Sequence, residues 1–398
     1  MDDVTTNTPS EYAASSPNQD RLRSLFKIME DPAANEHVLH EAWTTNPDLA
    51  KEQLWETGQS ALMLAAHHGR VGTVKNLLSL GAPWNALDRQ GKCAGNYAVE
   101  AGHQECIDVL VEAGVQAELI LGMSYRLNYE QQLKSRGQSH NTCREKPNKR
   151  HKAESQETTI QTDTVPLDEM DAVKPAYLTQ AIRYNSEDTA LLDADNDAVM
   201  MEWERPLMSL HASIITNNQT NLRVLNVGFG MGIIDTELQS KYKPSQHVII
   251  EAHPTVYQRM LTDGWGRKAG VELFFGKWQD VVPILIYEKR YKFDGVFFDT
   301  FGEHWIDMEN FHAHLPNLLY SPSGVYSFFN GLAPDNVFFH GVCCQVLLLQ
   351  LGKLGLDTEF APCEITVNEK DWEGVRRKYW HGNTYYLPIC KWKNIATT

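Results

Sequence analysis

The chain has 398 residues, 42% of them hydrophobic and 22% charged, and this length predicts two domains with connecting segments. Its 51 acidic residues against 36 basic ones give a formal net charge of −15. That charge argues against direct nucleic-acid binding, which neutralises phosphates, and suits a cationic partner. No apolar run approaches the roughly 18–20 residues that span a bilayer, so we expect no membrane-spanning segment and no membrane partner.

The N-terminus and the cysteines predict the compartment. Residues 1–20 are polar and acidic, lack the apolar run of a secretory signal, and are predicted to be disordered. The seven cysteines are odd in number and include no C-x-x-C pair, which indicates free thiols in a reducing compartment. We therefore expect a cytoplasmic protein, with nuclear entry as an open alternative.

Residues 21–123 contain an internal repeat. Glycines recur after 33 residues, since Gly58, Gly69 and Gly81 are answered by Gly91, Gly102 and Gly114. The apolar spacing between them also repeats, and the segment closely resembles ankyrin repeats. It predicts an all-α domain over residues 21–123, with capping helices in residues 21–57 and 117–121, because two repeats rarely bury a stable core alone. We expect this domain to contact other proteins, with a purely supporting stack as the alternative.

Residues 124–172 predict a polar linker. They are rich in Gln, Ser, Thr, Lys and Glu and do not bury enough apolar area to order themselves. A basic cluster lies within them at residues 146–152. A nuclear import signal, a ribosome-facing patch and a merely solvated linker all remain open for this cluster.

Residues 173–398 predict an α/β domain, because short apolar runs alternate with helical segments from Asn221 onward. Residues 223–227 predict a strand that runs into the glycine-rich turn 228–233 and then into a helix. Glycines at such a turn let the backbone approach a ligand at the helix N-terminus. On its own, this turn leaves cofactor binding and a plain tight turn equally open.

Three later segments favour cofactor binding. The predicted strand at residues 247–250 ends in Glu251, and an acid at the tip of the second strand is where a ribose diol is held. After a third strand, Trp278 and Gln279 occupy a common place for an aromatic ring and a polar group beside an adenine. A fourth strand ends in Asp299, at the carboxyl edge of the sheet, where such folds place their ligands.

Motifs from about Ala176 to the C-terminus resemble a known family. They are residues 199–208 (VMMEWERPLM), 224–232, 249–251, 276–283 and 293–300. In this order they resemble guanidinoacetate methyltransferase, and more closely its fungal relative, the type IV protein arginine methyltransferase that modifies the δ-nitrogen and carries ankyrin repeats. The resemblance implies a Rossmann-like class I methyltransferase sheet that uses S-adenosyl-L-methionine.

The resemblance also implies the roles of single residues. Glu204 and Asp299 correspond to the two carboxylates that hold the guanidinium group. The cofactor contacts are expected from Gly228, Phe229, Gly230, Met231, Gly232, Ile233, Glu251, Ala252, His253, Trp278, Gln279 and Asp299. Tyr177 and Met208 are expected to close over the cofactor. Asn226 stands where the family commonly has an acid, which predicts a weaker contact behind the methionine moiety.

Two carboxylates suit guanidinium chemistry. A protonated guanidinium has no free lone pair and is a poor nucleophile. Carboxylates that bind its terminal nitrogens localise charge there, and one of them, with Asp299 favoured, accepts the departing proton. The resemblance implies monomethylation of the δ-nitrogen of an arginine in a protein, and a ribosomal protein as the substrate, presented with help from the ankyrin domain.

Other functions remain open from sequence. One alternative is a methyltransferase of a free guanidino compound, and another is a non-catalytic scaffold with a relict methyltransferase fold. No metal is required by the chemistry. His312 and His314 have a spacing that suggests a metal site, but they lack further ligands at suitable positions, so we predict a helix surface there. The oligomeric state does not follow from the sequence.

Overall fold

The structure is a computed structural model that describes residues 17–31, 33–139, 177–301 and 305–393. It divides into two compact units, which we call unit 1 (residues 1–123 with 336–343) and unit 2 (residues 124–335 with 344–398). The basic cluster at residues 146–152 and most of the predicted disordered terminus lie outside the described residues. The predictions made for them therefore stay predictions.

Unit 1 is built from α-helices, as the repeat predicts. Its helices are α1 (Pro17–Glu30), α2 (Glu36–Thr45), α3 (Ala61–His67), α4 (Val71–Ser79), α5 (Ala94–Ala101) and the start of α6 (Gln104–Ser139). Local sequence sets where they begin. Asn35 accepts the Val38 backbone N–H at 3.0 Å before α2, and Ser60 accepts that of Met63 at 3.2 Å before α3, which satisfies N–H groups that a helix leaves unpaired.

The core of unit 1 depends on small residues. Ala65, Ala66 and Ala98 are completely buried, and α3 packs against its neighbours through them. Gly114, the last of the repeat glycines, lies inside α6. A Cβ at this position would stand 2.8 Å from the Trp84 ring, so close packing rather than a turn requires glycine here.

Two features of this half were not predicted. Helix α6 continues to Ser139, so the first residues of the predicted polar linker are helical. A helix already nucleated within the repeat extends at little further cost, which explains this difference. Residues 336–343 also belong to unit 1, where Phe338 and Val342 complete the apolar core.

Unit 2 contains the predicted α/β sheet. Seven strands pair in the order β6-β5-β4-β7-β8-β10-β9. They are β4 (Arg223–Val227), β5 (Gln246–Glu251), β6 (Val271–Phe275), β7 (Gly295–Phe298), β8 (Val325–Phe328), β9 (Leu356–Glu364) and β10 (Thr384–Trp392). The first five in the sheet order are parallel, and β10 runs antiparallel to both of its neighbours. A separate three-stranded sheet is formed by β1 (Arg183–Tyr184), β2 (Ala190–Leu192) and β3 (Ala198–Met201).

The continuous apolar runs of β4, β5 and β7 place them at the centre of the sheet. Nearly every residue of these strands is buried, which is typical of parallel strands covered on both faces. The helices of this unit are α7 (Arg205–Thr216), α8 (Ile233–Glu237), α9 (Pro254–Thr262), α10 (Trp278–Pro283), α11 (Trp305–His312), α12 (Leu315–Leu318) and α13 (Val337–Lys353), the last from residue 344 onward. The prediction of a Rossmann-like sheet that follows an all-α repeat domain in the chain is confirmed.

None of the helices in the described part of the chain combines the length and the apolar character needed to cross a membrane.

Candidate active site

A cavity of about 370 Å³ opens at the carboxyl ends of β4, β5 and β7. Strand β4 has β5 on one side and β7 on the other. The connection that leaves β4 and the one that leaves β7 therefore run in opposite directions, which leaves a crevice at the carboxyl edge of the sheet. We call this space the first cavity. Of the residues predicted for cofactor binding, it is lined by Tyr177, Gly228, Gly230, Glu251, Ala252, Trp278, Gln279 and Asp299.

Gly228 is the point at which two strand ends meet most closely. Its φ is +96°, and a Cβ built there would lie 1.7 Å from the backbone oxygen of Asp299. Only glycine fits this position, because any side chain would overlap with the main chain of β7 and would also need a left-handed conformation. The glycine therefore allows the backbone of residue 299 to pass close to the turn after β4, at the wall of the first cavity.

Gly228→Ala is expected to destabilise the protein by about 3 kcal/mol, because overlap with backbone adds to the cost of positive φ. Urea unfolding followed by tryptophan fluorescence measures the change. Gly374→Ala is the matched control, since Gly374 also has a positive φ of +81° but has no atom within 4 Å of its Cβ position. Equal losses in the two variants would show that the close approach contributes nothing.

A network of buried polar side chains supports the turn after β4. The Asn226 amide donates to the Gly228 carbonyl at 2.9 Å and to both oxygens of Asp235 at 2.9 and 2.8 Å. The ring of His247 lies 3.0 Å from the same carboxylate, and all three side chains are completely buried. The amide at position 226 thus contacts Asp235, an acid supplied by the next helix. The weaker contact expected behind the methionine moiety stays a prediction.

Glu251 ends β5 with its carboxylate pointing towards the turn. One oxygen accepts the Phe229 backbone N–H at 2.9 Å, and the other accepts that of His253 at 2.6 Å. Burial raises the pKa of this carboxyl, and these backbone donors act against that rise. The backbone N–H groups of Gly230 and Ala252 also lower this pKa. The carboxylate lines the first cavity, where an acceptor of this kind is suited to a diol.

The segment before α7 forms another wall of the first cavity. Tyr177, Val199 and Met200 line it, and the Tyr177 ring packs against those of His253 and Phe301 with centroids 5.2 and 4.9 Å away. The Tyr184 hydroxyl donates to the Gly230 carbonyl at 2.9 Å. The three-stranded sheet therefore fixes the glycine-rich turn from outside.

A second cavity of about 310 Å³ adjoins the first. The two share Val199, Asp299, Thr300 and Phe301 as lining residues. Glu204 and Tyr379 also line the second cavity, together with Arg377 and Gly331. Asp299 therefore stands where the two spaces meet, and Glu204 lies in the second.

Glu204 is held at the start of α7. It ends a short 3₁₀ turn (Glu202–Glu204) and is only 3% exposed. Its Oε1 accepts the Met201 backbone N–H at 2.9 Å and the Tyr379 hydroxyl at 2.5 Å. Pro206 follows within the first turn of α7, where its missing N–H costs nothing.

The two carboxyls have raised pKa values. Burial raises the pKa of Asp299, and burial followed by repulsion from Asp299 raises that of Glu204. Two nearby acids in a site of low polarity are expensive to ionise together. A cation that enters between them relieves this cost, so the site favours a positively charged, planar group with several N–H donors.

The remaining predicted cofactor residues do not line the first cavity: Met208, Phe229, Met231, Gly232, Ile233 and His253. Met208 is completely buried and packs in the apolar core, because the helix turns it inward, and Met200 stands at the cavity wall instead. Phe229 packs on Trp265 with ring centroids 5.2 Å apart. His253 accepts the Thr255 backbone N–H at 3.2 Å and caps α9.

The prediction that His312 lies on a helix surface is wrong. The residue is 1% exposed, and its Nε2 lies 3.0 Å from the Tyr326 hydroxyl. Burial lowers its pKa to about 3, so it is neutral. Within the described residues, no group of three or more His, Cys, Asp and Glu side chains is placed to hold a metal ion.

Sequence reasoning missed several lining residues. Val199 and Met200 fall inside the quoted motif 199–208 but were given no role, and Tyr379 and Arg377 lie between β9 and β10, in a segment that carried no motif. The available signal was the aromatic pair Tyr379-Trp380, which directly follows a basic run at residues 376–378. Gly331, three residues after the end of β8, also lines the second cavity, whereas Asn330 beside it is completely buried and donates to the Tyr386 carbonyl at 3.0 Å.

Family models match both halves of the chain. The model described as guanidinoacetate N-methyltransferase matches residues 167–333. The model for ankyrin repeats in three copies matches residues 11–119. The repeat architecture read from the glycine spacing is therefore confirmed.

Curated relatives cover nearly the whole chain. A protein of Emericella nidulans named protein arginine N-methyltransferase 2 is 33% identical over 98% of each chain. A protein of the same name from Saccharomyces cerevisiae is 33% identical over 78% of this chain and 75% of its own. Among solved structures, an O-methyltransferase of Streptomyces achromogenes in complex with SAM is 18% identical, with a TM-score of 0.34, and covers 47% of this chain and 79% of that one.

Proposed function

The chain belongs to the protein arginine N-methyltransferase 2 family, and we propose that it transfers one methyl group from S-adenosyl-L-methionine to the δ-nitrogen of an arginine in a protein. The observation that carries this proposal is the placement of Glu204 and Asp299 in adjoining cavities. Asp299 borders both spaces, so a group bound between the two acids lies next to whatever occupies the first cavity.

The first cavity fits S-adenosyl-L-methionine. Gly228 and Gly230 line the turn without side chains, the carboxylate of Glu251 is suited to the ribose diol, and Trp278 and Gln279 also line the cavity. When bound, this compound supplies a methyl group on a sulfonium centre, which is already a good leaving group. We assign to the chain the tasks of binding, orientation and charge placement.

Glu204 and Asp299 perform two tasks on the arginine. The guanidinium is protonated at neutral pH, with a pKa above about 12, and its planar donors match carboxylates. When the two carboxylates bind the terminal nitrogens, they localise the positive charge on these atoms. The substituted nitrogen is then more nucleophilic. Asp299, at the junction of the cavities, accepts the proton that this nitrogen loses as the methyl group arrives.

The choice of the δ-nitrogen rests on the likeness to guanidinoacetate methyltransferase. In guanidinoacetate, the methylated nitrogen is the one that bears the carbon chain, and its counterpart in arginine is the δ-nitrogen. A ribosomal protein is the proposed substrate, on the same resemblance. We propose that the ankyrin repeats of unit 1 supply contacts to this protein, since stacked repeats present extended recognition surfaces.

The proposal is tested by methyl transfer from labelled S-adenosyl-L-methionine into an extract of cells that lack the enzyme. The labelled protein is hydrolysed and its methylarginines are separated. We expect δ-N-methylarginine in one protein. Label in the ω-nitrogens would overturn the δ assignment, and absence of any protein label would overturn the protein substrate.

A methyltransferase of a free guanidino acid is the second candidate. Arg377 is exposed on the wall of the second cavity, where a guanidinium of this kind pairs well with a substrate carboxylate. The same labelled extract distinguishes the two, because this candidate puts the label into small molecules only.

The pH dependence of the reaction follows from the two raised pKa values. Both acids must be ionised to grip the guanidinium, and burial raises the pKa of each. We therefore expect kcat/KM to fall as the pH is lowered, with a midpoint well above the usual carboxyl value of about 4. The substrate stays protonated throughout this range and contributes no titration. Initial rates over the pH range provide the measurement, and a constant kcat/KM down to about pH 5 would contradict it.

A further inference from the structure

The segment between β9 and β10, residues 365–383, forms part of the second cavity. It contributes Arg377 and Tyr379 to the lining. Two contacts attach this segment to the turn before β3. The Arg376 backbone N–H donates to the Asn196 carbonyl at 2.8 Å, and the Arg376 guanidinium pairs with Asp197. The segment is thus fastened next to the residues that lead into Glu204.

Tyr379 is fixed by aromatic packing. Its ring lies 5.7 Å from that of Trp203 and 5.1 Å from that of Trp372, and Trp372 is itself buried. Large rings that contact one another in this way have few alternative rotamers. The direction of the Tyr379 hydroxyl is therefore set by the packing of the domain and does not depend on a bound substrate.

The hydroxyl of Tyr379 reaches one particular oxygen of Glu204. It donates to Oε1 at 2.5 Å, the same atom that accepts the Met201 N–H at 2.9 Å. Both donors thus converge on Oε1, and the carboxylate lies on the wall of the second cavity. Two donors on one oxygen fix the plane of a carboxylate and leave the lone pairs of the other oxygen for a ligand.

We propose that Tyr379 is a positioning residue for the guanidinium site, which holds Oε1 of Glu204 so that Oε2 is presented to the substrate. This inference rests on the proposed role of Glu204 in guanidinium binding. Without the hydroxyl, the carboxylate retains one donor and rotates about its last side-chain bond. Part of the substrate's binding free energy is then used to orient a carboxylate that the wild-type enzyme holds in place beforehand.

Other charged and titratable groups surround Glu204 and remain in place when Tyr379 is changed. Asp299 faces it from the end of β7, and Tyr385 interacts with it from β10. Arg377 and Asp197 lie on the same cavity wall. Removing only the Tyr379 hydroxyl therefore deletes one hydrogen bond to Glu204 and leaves its other neighbours unchanged.

Tyr379→Phe tests the proposal, with Tyr287→Phe as the matched control because Tyr287 is 69% exposed. We expect kcat/KM to fall about 10- to 100-fold, the range for a hydrogen bond to a charged group, while affinity for S-adenosylhomocysteine stays within about twofold. Unchanged S-adenosylhomocysteine binding also shows that the variant is folded. Wild-type kcat/KM at every pH would overturn the proposal.

A binding measurement separates this proposal from the reaction itself. Methylguanidinium is titrated by calorimetry into the full-length protein with S-adenosylhomocysteine present, over a range of pH. A carboxylate that loses a hydrogen-bond donor has a higher pKa, since its ionised form is less stabilised. The acid-side midpoint of methylguanidinium binding should therefore move to higher pH in Tyr379→Phe. Placing 3-fluorotyrosine, a stronger donor, at position 379 should move it to lower pH. Identical midpoints in all three proteins would reject the role of Tyr379, even if the wild type methylates no arginine.

Discussion

Asp299→Asn is expected to lower kcat about 1,000-fold, in the range that general-base removal produces. Asp299 lines both cavities, so it lies next to the transferred methyl group and to the guanidinium at once. Asn keeps the shape of the side chain but loses the charge and the ability to accept a proton. Initial rates of methyl transfer at saturating substrate measure the effect.

The variant leaves the fold of the site intact, because the main chain of residue 299 supplies its structural contacts. Its backbone N–H donates to the Val227 carbonyl at 2.9 Å, and its backbone oxygen limits the space at Gly228. Asn also keeps a hydrogen-bonding oxygen at the wall of the first cavity, so affinity for S-adenosylhomocysteine should change little. Asp357→Asn is the matched control, since Asp357 is an exposed acid on β9. If the kcat of Asp299→Asn were within tenfold of the wild-type value, Asp299 would not be the general base.

The strands around the site were predictable because their signal is local. Residues 223–227 form β4 with the predicted limits, since buried parallel strands are continuous apolar runs bounded by turns. Glu251 and Asp299 follow from the same logic, because an acid directly after such a run must lie at the carboxyl edge of the sheet.

Contacts between distant segments were not predictable. Tyr379 and Glu204 are 175 residues apart, and the contacts of Arg376 with Asn196 and Asp197 that hold their segments together are equally long-range. Met208 and Met200 show the same limit within one motif. Both belong to residues 199–208, and helix α7 turns Met208 into the core while β3 presents Met200 to the first cavity. The motif identifies the site, whereas the direction of each side chain depends on tertiary packing.

Glu251→Gln is expected to weaken S-adenosylhomocysteine binding about 100-fold, since it removes hydrogen bonds to a charged acceptor. The carboxylate accepts backbone N–H groups with both oxygens, from Phe229 and from His253. An amide has only one oxygen, so its NH₂ would face a backbone donor that it cannot pair. The turn after β4 or the start of α9 must then shift, and the acceptor for the ribose diol is lost. Calorimetric titration measures the affinity.

The contrast between the two variants separates the two cavities. Glu359→Gln, an exposed acid on β9, is the matched control for Glu251→Gln and should bind S-adenosylhomocysteine normally. If the first cavity alone holds the nucleoside, Glu251→Gln loses affinity for S-adenosylhomocysteine yet keeps its affinity for methylguanidinium, since Glu204 and Asp299 are unchanged. Asp299→Asn should show the opposite pattern. If Glu251→Gln bound S-adenosylhomocysteine as tightly as the wild type, Glu251 would not be the residue that binds the ribose. The assignment of the cofactor to the first cavity would then lose its support.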